Sequence, residues 1–182
     1  LISVSMSDGV LGTDKDGHLL LCYATMEGRL GRGPEGSTLD EWRLTQEMLT
    51  LDGKTAYPMA ERPLTQALRG VSVSNFDVLS RRPDHEDRIL RLSARPLLNK
   101  DKQLVGGVGL FVDITDLKAA EDFVRDQREV LARMARGAPL SQSLEAIVRL
   151  IEAHSPGRLC SILLVKDGKL HHGAAVGLPE ST

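Results

Sequence analysis

Alternation of apolar and polar residues predicts the strands in the first two thirds of the chain. In residues 88–98, Leu90, Leu92 and Ala94 alternate with polar or charged residues, which is the pattern of an antiparallel strand with one buried face. The pair Asp16-Gly17 separates two short apolar stretches and predicts a hairpin near the start. The predicted strands cover residues 10–13, 18–22, 71–80, 88–98 and 103–113. We therefore expect a five-stranded antiparallel sheet.

Two short helices are predicted between the second and third of these strands. Thr38 and Glu41 fit the S/T-x-x-E capping box, which favours a helix over residues 39–44. Pro63 near a helix start and Gly70 just past its end bracket another short helix. We expect the second of these helices to cover one face of the sheet.

The pattern becomes helical after residue 115. No Gly or Pro interrupts residues 116–136, so we expect one helix with a length of about 30 Å. Its apolar residues form a weak heptad that could pair with a second copy of the chain. These residues are Ala120, Phe123, Val130 and Met134. The alternative is a single amphipathic helix that lies on its own domain.

A second helix and a hairpin are predicted in the last third of the chain. Apolar residues at helical spacing run from Leu140 to Ile151, and Ser155-Pro156-Gly157 ends that helix. The pair Asp167-Gly168 then turns a hairpin of residues 159–165 and 169–175.

Composition narrows the class of protein. The formal net charge is −2, and no basic cluster is present, which argues against nucleic-acid binding because phosphate neutralisation needs clustered Lys and Arg. Cys22 and Cys160 are the only cysteines and lie far apart, so a reducing compartment, the cytoplasm, is expected. Apolar runs stay well below the about 20 residues that span a bilayer, so no membrane segment is expected.

The sequence carries no motif for catalysis or metal binding. Asp14 and Asp16 could begin a calcium loop, but that loop would need Gly and Glu where Leu19 and Thr25 stand. No G-x-S-x-G, H-E-x-x-H or phosphate-loop pattern occurs. We therefore expect neither a metal site nor a catalytic site.

A front segment, a middle block and a closing block of two strands followed by Asp-Ile-Thr form a recognisable pattern in the first two thirds of the chain. These segments are residues 8–17, 62–64, 67–70, 92–97, 105–108 and 113–115. With this pattern, residues 8–118 resemble a PAS domain. The resemblance implies an α+β fold in which short helices lie on one face of a five-stranded antiparallel sheet and a long connecting helix follows. It also implies a sensory role.

Residues 130–182 resemble the start of a GAF domain and end before such a domain would be complete. The segments that carry this resemblance are 131–137, 144–148, 156–157, 160–164 and 173–179. Together the two resemblances imply a PAS sensory domain at 1–115, a signalling helix at 116–136 and a truncated GAF domain at 137–182. Such arrays feed a histidine kinase of a two-component system, a cyclic-dinucleotide enzyme or a transcriptional output, and none of these outputs is in the sequence.

The PAS resemblance implies a ligand pocket on the inner face of the sheet. Its expected lining residues are Trp42, Val73, Leu90, Leu92, Gly109 and Phe111. Because this lining is apolar, a ligand is expected to be small and apolar or amphipathic. Trp42 could instead be a core residue. The resemblance also makes Asp113 and Thr115 relay residues between the last strand and the long helix, and the same residues could cap that helix.

The PAS resemblance also argues against two cofactors. Neither Cys22 nor Cys160 lies in the Asn-Cys-Arg-Phe-like helix that attaches flavin. Separately, the Asn-x-Ala-Ala stretch common in PAS domains is replaced by Tyr23-Ala24-Thr25-Met26-Glu27, a departure that concerns the helical wall of the pocket and not a cofactor. No histidine lies between His18 and His85, where haem-binding PAS domains commonly carry their ligand. Covalent flavin and haem are therefore not expected, and the identity of any ligand stays open.

The sequence thus predicts a cytoplasmic sensory and dimerisation module that is not itself a catalyst. A homodimer is expected because the hairpin at 159–175 leaves strand edges and an apolar face that a second chain can cover. The alternative function is a structural interaction module whose PAS core is filled by its own side chains. In both cases the output domain lies elsewhere in the same protein.

Overall fold

One antiparallel sheet organises the first two thirds of the chain. The computed structural model describes residues 8–22, 38–39, 41, 47–83 and 85–178. The strands are β1 (Asp8–Asp14), β2 (Leu19–Cys22), β3 (Glu47–Leu49), β4 (Val73–Arg81), β5 (Arg88–Leu98) and β6 (Leu104–Asp113). Their order across the sheet is β2-β1-β6-β5-β4-β3, so β6 lies between β1 and β5. With its few helices, this part of the chain has an α+β fold.

The sheet has six strands within the described ranges, so the expected count of five is wrong. The additional strand is β3, a three-residue edge strand in which Met48 is paired with Ser80 of β4. Met48 and Leu49 are both buried, so this short segment shows no alternation that the sequence could reveal.

The capping box at Thr38 is confirmed. The Thr38 backbone N–H donates to Glu41 Oε2 at 2.9 Å, and the Glu41 N–H donates to Thr38 Oγ1 at 3.3 Å. Leu39 and Glu41 are helical. The remainder of the expected helix, including Trp42, lies outside the described residues.

A short helix, α1 (Pro63–Ala67), covers the inner face of the sheet. A 3-10 turn at Met59–Glu61 precedes it, and Pro63 stands at the helix start, where an absent N–H loses no hydrogen bond. A Cβ added to Gly107 of β6 would lie 3.2 Å from Leu64 Cδ1 and 3.6 Å from Ala67 Cβ. Glycine at this position therefore allows the helix to approach the sheet closely.

The hydrophobic core lies between the inner face of the sheet and the helices. Its buried residues are Leu11, Leu19, Leu39, Met48, Leu64, Ala67, Val78, Leu90, Leu92, Ala94 and Phe111. Phe111 is the one aromatic ring in this buried set, so the core of the described part is almost wholly aliphatic. This agrees with the low aromatic content of the sequence, 3%.

Residues 1–115 and residues 116–182 form two separate compact units. The remaining elements are α2 (Thr115–Ala135), α3 (Leu140–Ala153), β7 (Ser161–Lys166) and β8 (Lys169–Ala175). The two strands pair around Asp167-Gly168, whose φ angles of 53° and 73° match a type I′ turn. α3 packs against this hairpin, and Val148 and Ala174 are buried.

Helix α2 is long but polar. It has 21 residues, and none of those whose burial is described is buried. Its apolar side chains Phe123, Leu131 and Met134 are 38%, 55% and 41% exposed. No helix in the described ranges combines the length and the apolar character needed to cross a bilayer.

His154 connects α3 to α2 inside the second unit. Its Nε2 lies 3.0 Å from Asp126 Oδ2, and its ring meets the Phe123 ring edge-on with centroids 5.2 Å apart. The hydrogen bond with His154, assisted by one from Arg125, lowers the pKa of the Asp126 carboxyl below its ordinary value.

Gly106→Ala should lower the free energy of unfolding by about 1–3 kcal/mol, because the added Cβ would lie 2.0 Å from the Thr13 carbonyl oxygen and the paired strands must shift. Gly12→Ala is the matched control on β1, since its Cβ would lie at an ordinary 3.4 Å from Leu21 Cβ. Urea unfolding followed by circular dichroism measures both variants. Equal losses would contradict the close approach at Gly106.

The Asp126 contact should stabilise the chain at neutral pH but not in acid. A carboxyl whose pKa is lowered by folding contributes stability above its unfolded pKa, and this contribution is lost as the pH falls through the folded pKa. Asp126→Asn should therefore lower the urea midpoint at neutral pH, and its difference from the parent should shrink towards about pH 3. Glu145→Gln, an exposed carboxylate change on α3, is the control. The same pH profile in that control would refute a specific role for Asp126.

Candidate ligand-binding site

A narrow cavity lies between the inner face of the sheet and α1. Its volume is about 30 Å³, well below the ~300–1,000 Å³ of small-molecule sites. Its lining is mostly apolar, with polar atoms from three residues, Arg62, Thr65 and Ser93. The remaining lining residues are Leu39, Met48, Met59, Pro63, Leu64, Leu92, Ala94, Gly109 and Phe111. The cavity can enclose a small apolar group and offers few hydrogen-bonding partners.

Leu92, Gly109 and Phe111, three of the residues expected to line the pocket, do line this cavity. A Cβ at Gly109 would lie 3.1 Å from Phe111 Cε2, so the glycine leaves room for the ring. Leu90 belongs to the same hydrophobic core but is not among the residues that line the cavity. Trp42 lies outside the described residues.

Val73 lies towards one end of the inner face. It is half-buried and stands opposite Ala94 in the register of β4 and β5. The register is irregular between Val73 and Phe76, where Asn75 has a φ of 54°. Val73 is not among the cavity-lining residues. The irregularity interrupts the alternation that would have located the inward-facing residues of β4.

Two methionines that the sequence did not predict as pocket residues line the cavity. Met48 comes from the edge strand β3, and Met59 from the 3-10 turn before α1. Neither lies in a segment with a periodic pattern. The sequence therefore contained no local signal that would place them at this site.

A wider pocket of about 330 Å³ adjoins the cavity. It forms where the turn between β1 and β2 meets the end of α1. Its lining residues are Asp16, Gly17, Thr38, Leu39, Met59, Ala60, Thr65, Leu68 and Arg69. Leu39, Met59 and Thr65 line both spaces. No local pattern predicts this pocket, because its walls come from segments far apart in the sequence.

Asp113 and Thr115 lie where β6 passes into α2. Thr115 Oγ1 donates to Asp113 Oδ1 at 2.6 Å, and the Thr115 N–H donates to the same oxygen at 3.0 Å. The Ile89 N–H, near the start of β5, donates to Thr115 Oγ1 at 2.9 Å. The Ile114 N–H donates to the Ile89 carbonyl oxygen at 2.9 Å. The Thr115 hydroxyl thus bonds to two adjacent strands at the first residue of the long helix.

Residues 4–119 match the family model described as the PAS fold. The chain belongs to the PAS family. The match spans the sheet and α1 and therefore includes the cavity, the wider pocket and the junction at Thr115. It confirms the PAS resemblance of the first part of the chain.

Known relatives of this PAS chain include a sensor. The chain is 38% identical over 74 residues to a methyl sulfide methyltransferase-associated sensor of Methanosarcina acetivorans, which is 40% of this chain and 7% of that sensor. The chain therefore spans only a small part of this relative's length.

Solved structures with a similar backbone include a sensory box histidine kinase/response regulator from Burkholderia thailandensis. It is 20% identical with a TM-score of 0.46, over 70% of this chain and 92% of that chain. Another is the PAS domain of a protein from Colwellia psychrerythraea, which is 19% identical with a TM-score of 0.42, over 60% of this chain and 87% of that chain.

Proposed function

We propose that this chain is the sensory part of a signalling protein and is not itself a catalyst. Its PAS unit receives a small-molecule signal, and α2 passes the resulting change towards an output domain outside this sequence. Membership of the PAS family supports this proposal, as does the relative that carries the name of a sensor.

The contact that carries the proposal is the hydroxyl of Thr115. It accepts from the Ile89 N–H near the start of β5 and donates to Asp113 at the end of β6. β5 and β6 also carry cavity-lining residues, Leu92 and Phe111 among them. A displacement of either strand on ligand binding therefore changes the geometry at the first residue of α2. Couplings of this kind are typically worth about 1–3 kcal/mol.

We further propose that the second unit is the beginning of a GAF domain and that α2 pairs with a second copy of the chain in the cytoplasm. The order of helix and hairpin in the second unit supports the first part. The exposed apolar side chains Phe123, Leu131 and Met134 support the second, since pairing would remove them from water. In this proposal the output is a histidine kinase.

The small volume of the cavity favours a second candidate function. A space of about 30 Å³ is far smaller than the ~300–1,000 Å³ of small-molecule sites, so a drug-sized ligand would need the surrounding side chains to move. A structural interaction module with a self-filled core would have such a cavity. In that case the PAS unit would pair subunits without binding a ligand.

Native mass spectrometry of the purified chain, before and after denaturation, should distinguish the two functions. A sensor should carry a small-molecule mass that is lost on denaturation, because denaturation removes the pocket. Bare protein that remains dimeric, even after incubation with cell extract, would support the structural module and contradict the sensor proposal.

Variants of Thr115 should test the relay. The substitution Leu92→Met changes the shape of the cavity and serves as the perturbation. When Thr115 is present, it should shift the amide resonances of residues 116–119, which directly follow the junction. Thr115→Val should largely abolish this response and lower the free energy of unfolding by about 1–3 kcal/mol, because it leaves the Ile89 N–H without its acceptor.

Thr115→Ser is the control for the relay experiment, because it keeps the hydroxyl. It should preserve both the response of residues 116–119 and most of the stability. An undiminished response to Leu92→Met in the Thr115→Val background would refute transmission through this hydroxyl.

A further inference from the structure

The wider pocket carries a positive charge that the described part of the protein does not neutralise. Arg69 lines the pocket and is exposed, and no carboxylate of the described residues lies within ion-pair distance of it. Thr65 lies four residues before it, so both side chains belong to the same side of α1 and its following turn. Within the same described ranges, the Thr65 hydroxyl forms no hydrogen bond.

Asp16, the one acidic residue among the described lining residues, is already paired. The Asp16 carboxylate accepts from Lys15 Nζ at 2.8 and 2.9 Å, so this pair contributes little net charge. Among the described lining residues, the guanidinium of Arg69 is therefore the charge that is left unpaired, and it favours an anion. Guanidinium and carboxylate groups match in a planar, two-bond geometry.

The wider pocket also has apolar lining residues. Gly17 is buried, and a Cβ placed on it would lie 3.7 Å from Leu68 Cδ1 and 3.9 Å from Leu39 Cδ1. Leu39 and Leu68 also line the pocket, so their methyl groups lie beside this glycine in the lining. Met59 adds a flexible thioether. A ligand that satisfies both parts has one anionic end and one short apolar end.

Size separates this pocket from the cavity. A volume of about 330 Å³ lies at the lower end of the range for small-molecule sites, whereas about 30 Å³ lies far below it. A small organic anion can thus enter the wider pocket without any expansion of the core.

We propose that the wider pocket binds a short-chain carboxylate, whose carboxylate lies against Arg69 and Thr65 and whose alkyl chain lies on Leu39, Leu68 and Met59. This inference rests on the proposed sensory function and names the site and the chemical class of its ligand. It places the ligand beside the hydrophobic core, against residues that also line the cavity.

Methionine methyl groups allow a direct test with butyrate as the probe. The chain has five methionines, and Met59 lines both spaces while Met48 lines the cavity but not the wider pocket. Methyl-labelled chain is titrated with butyrate and followed by NMR, with the two resonances assigned by Met48→Leu and Met59→Leu variants. Saturable movement of the Met59 methyl with a stationary Met48 methyl is the expected result.

Two variants and one neutral probe test the role of charge. Arg69→Gln should weaken butyrate binding about tenfold, because a charge-assisted contact is lost. Arg95→Gln removes the same charge from an exposed position on β5 and should leave binding unchanged. Butan-1-ol, which has the same chain length without the carboxylate, should bind more weakly than butyrate.

The remaining outcomes would overturn the inference. Joint movement of the Met48 and Met59 methyls would place the ligand in the cavity, which contradicts this site but leaves the sensory function intact. Equal weakening by Arg69→Gln and Arg95→Gln would show general charge attraction only. An absence of saturable shifts would exclude the carboxylate site, while native mass spectrometry decides the sensory function independently.

Discussion

The close packing of α1 on β6 sets the geometry of the PAS unit. Gly107 has no side chain, so Leu64 and Ala67 lie against the backbone of the strand. Protein interiors are as dense as organic crystals, and a helix held at this distance leaves little unfilled space beneath it. The narrow cavity is the remainder of that packing. The wider pocket lies at the end of the same helix, where the chain turns before it enters β4.

The core that surrounds the cavity is aliphatic and contains two methionines. Leu92 and Phe111 fix the inner face, while Met48 and Met59 supply unbranched side chains that fill irregular gaps. Exchange of one methionine rotamer for another changes the local volume at small cost compared with movement of the backbone. The walls contributed by β3 and the 3-10 turn thus carry the two lining side chains best suited to a change of rotamer.

Local sequence pattern was sufficient where an element is long and has one buried face. The alternation in residues 88–98 predicts β5 to the residue, and the uninterrupted helical segment predicts α2 within one residue at each end. The pattern failed at β3, where three residues pair at an edge and two neighbours are buried together. It also failed to identify Met59 and Arg69, because the walls of the two spaces meet only through tertiary packing. Leu92, Gly109 and Phe111 could be found because they lie on the regularly alternating strands.

Leu39, Met59 and Thr65 line both the cavity and the wider pocket, so the inner and the outer space share part of one wall. Leu39 belongs to the buried core and Met59 packs against it, so side chains that fill the interior also bound the outer space. The lining of the wider pocket is therefore continuous with the core, and a substitution at one of these three positions that is meant to reshape one space reshapes the other as well.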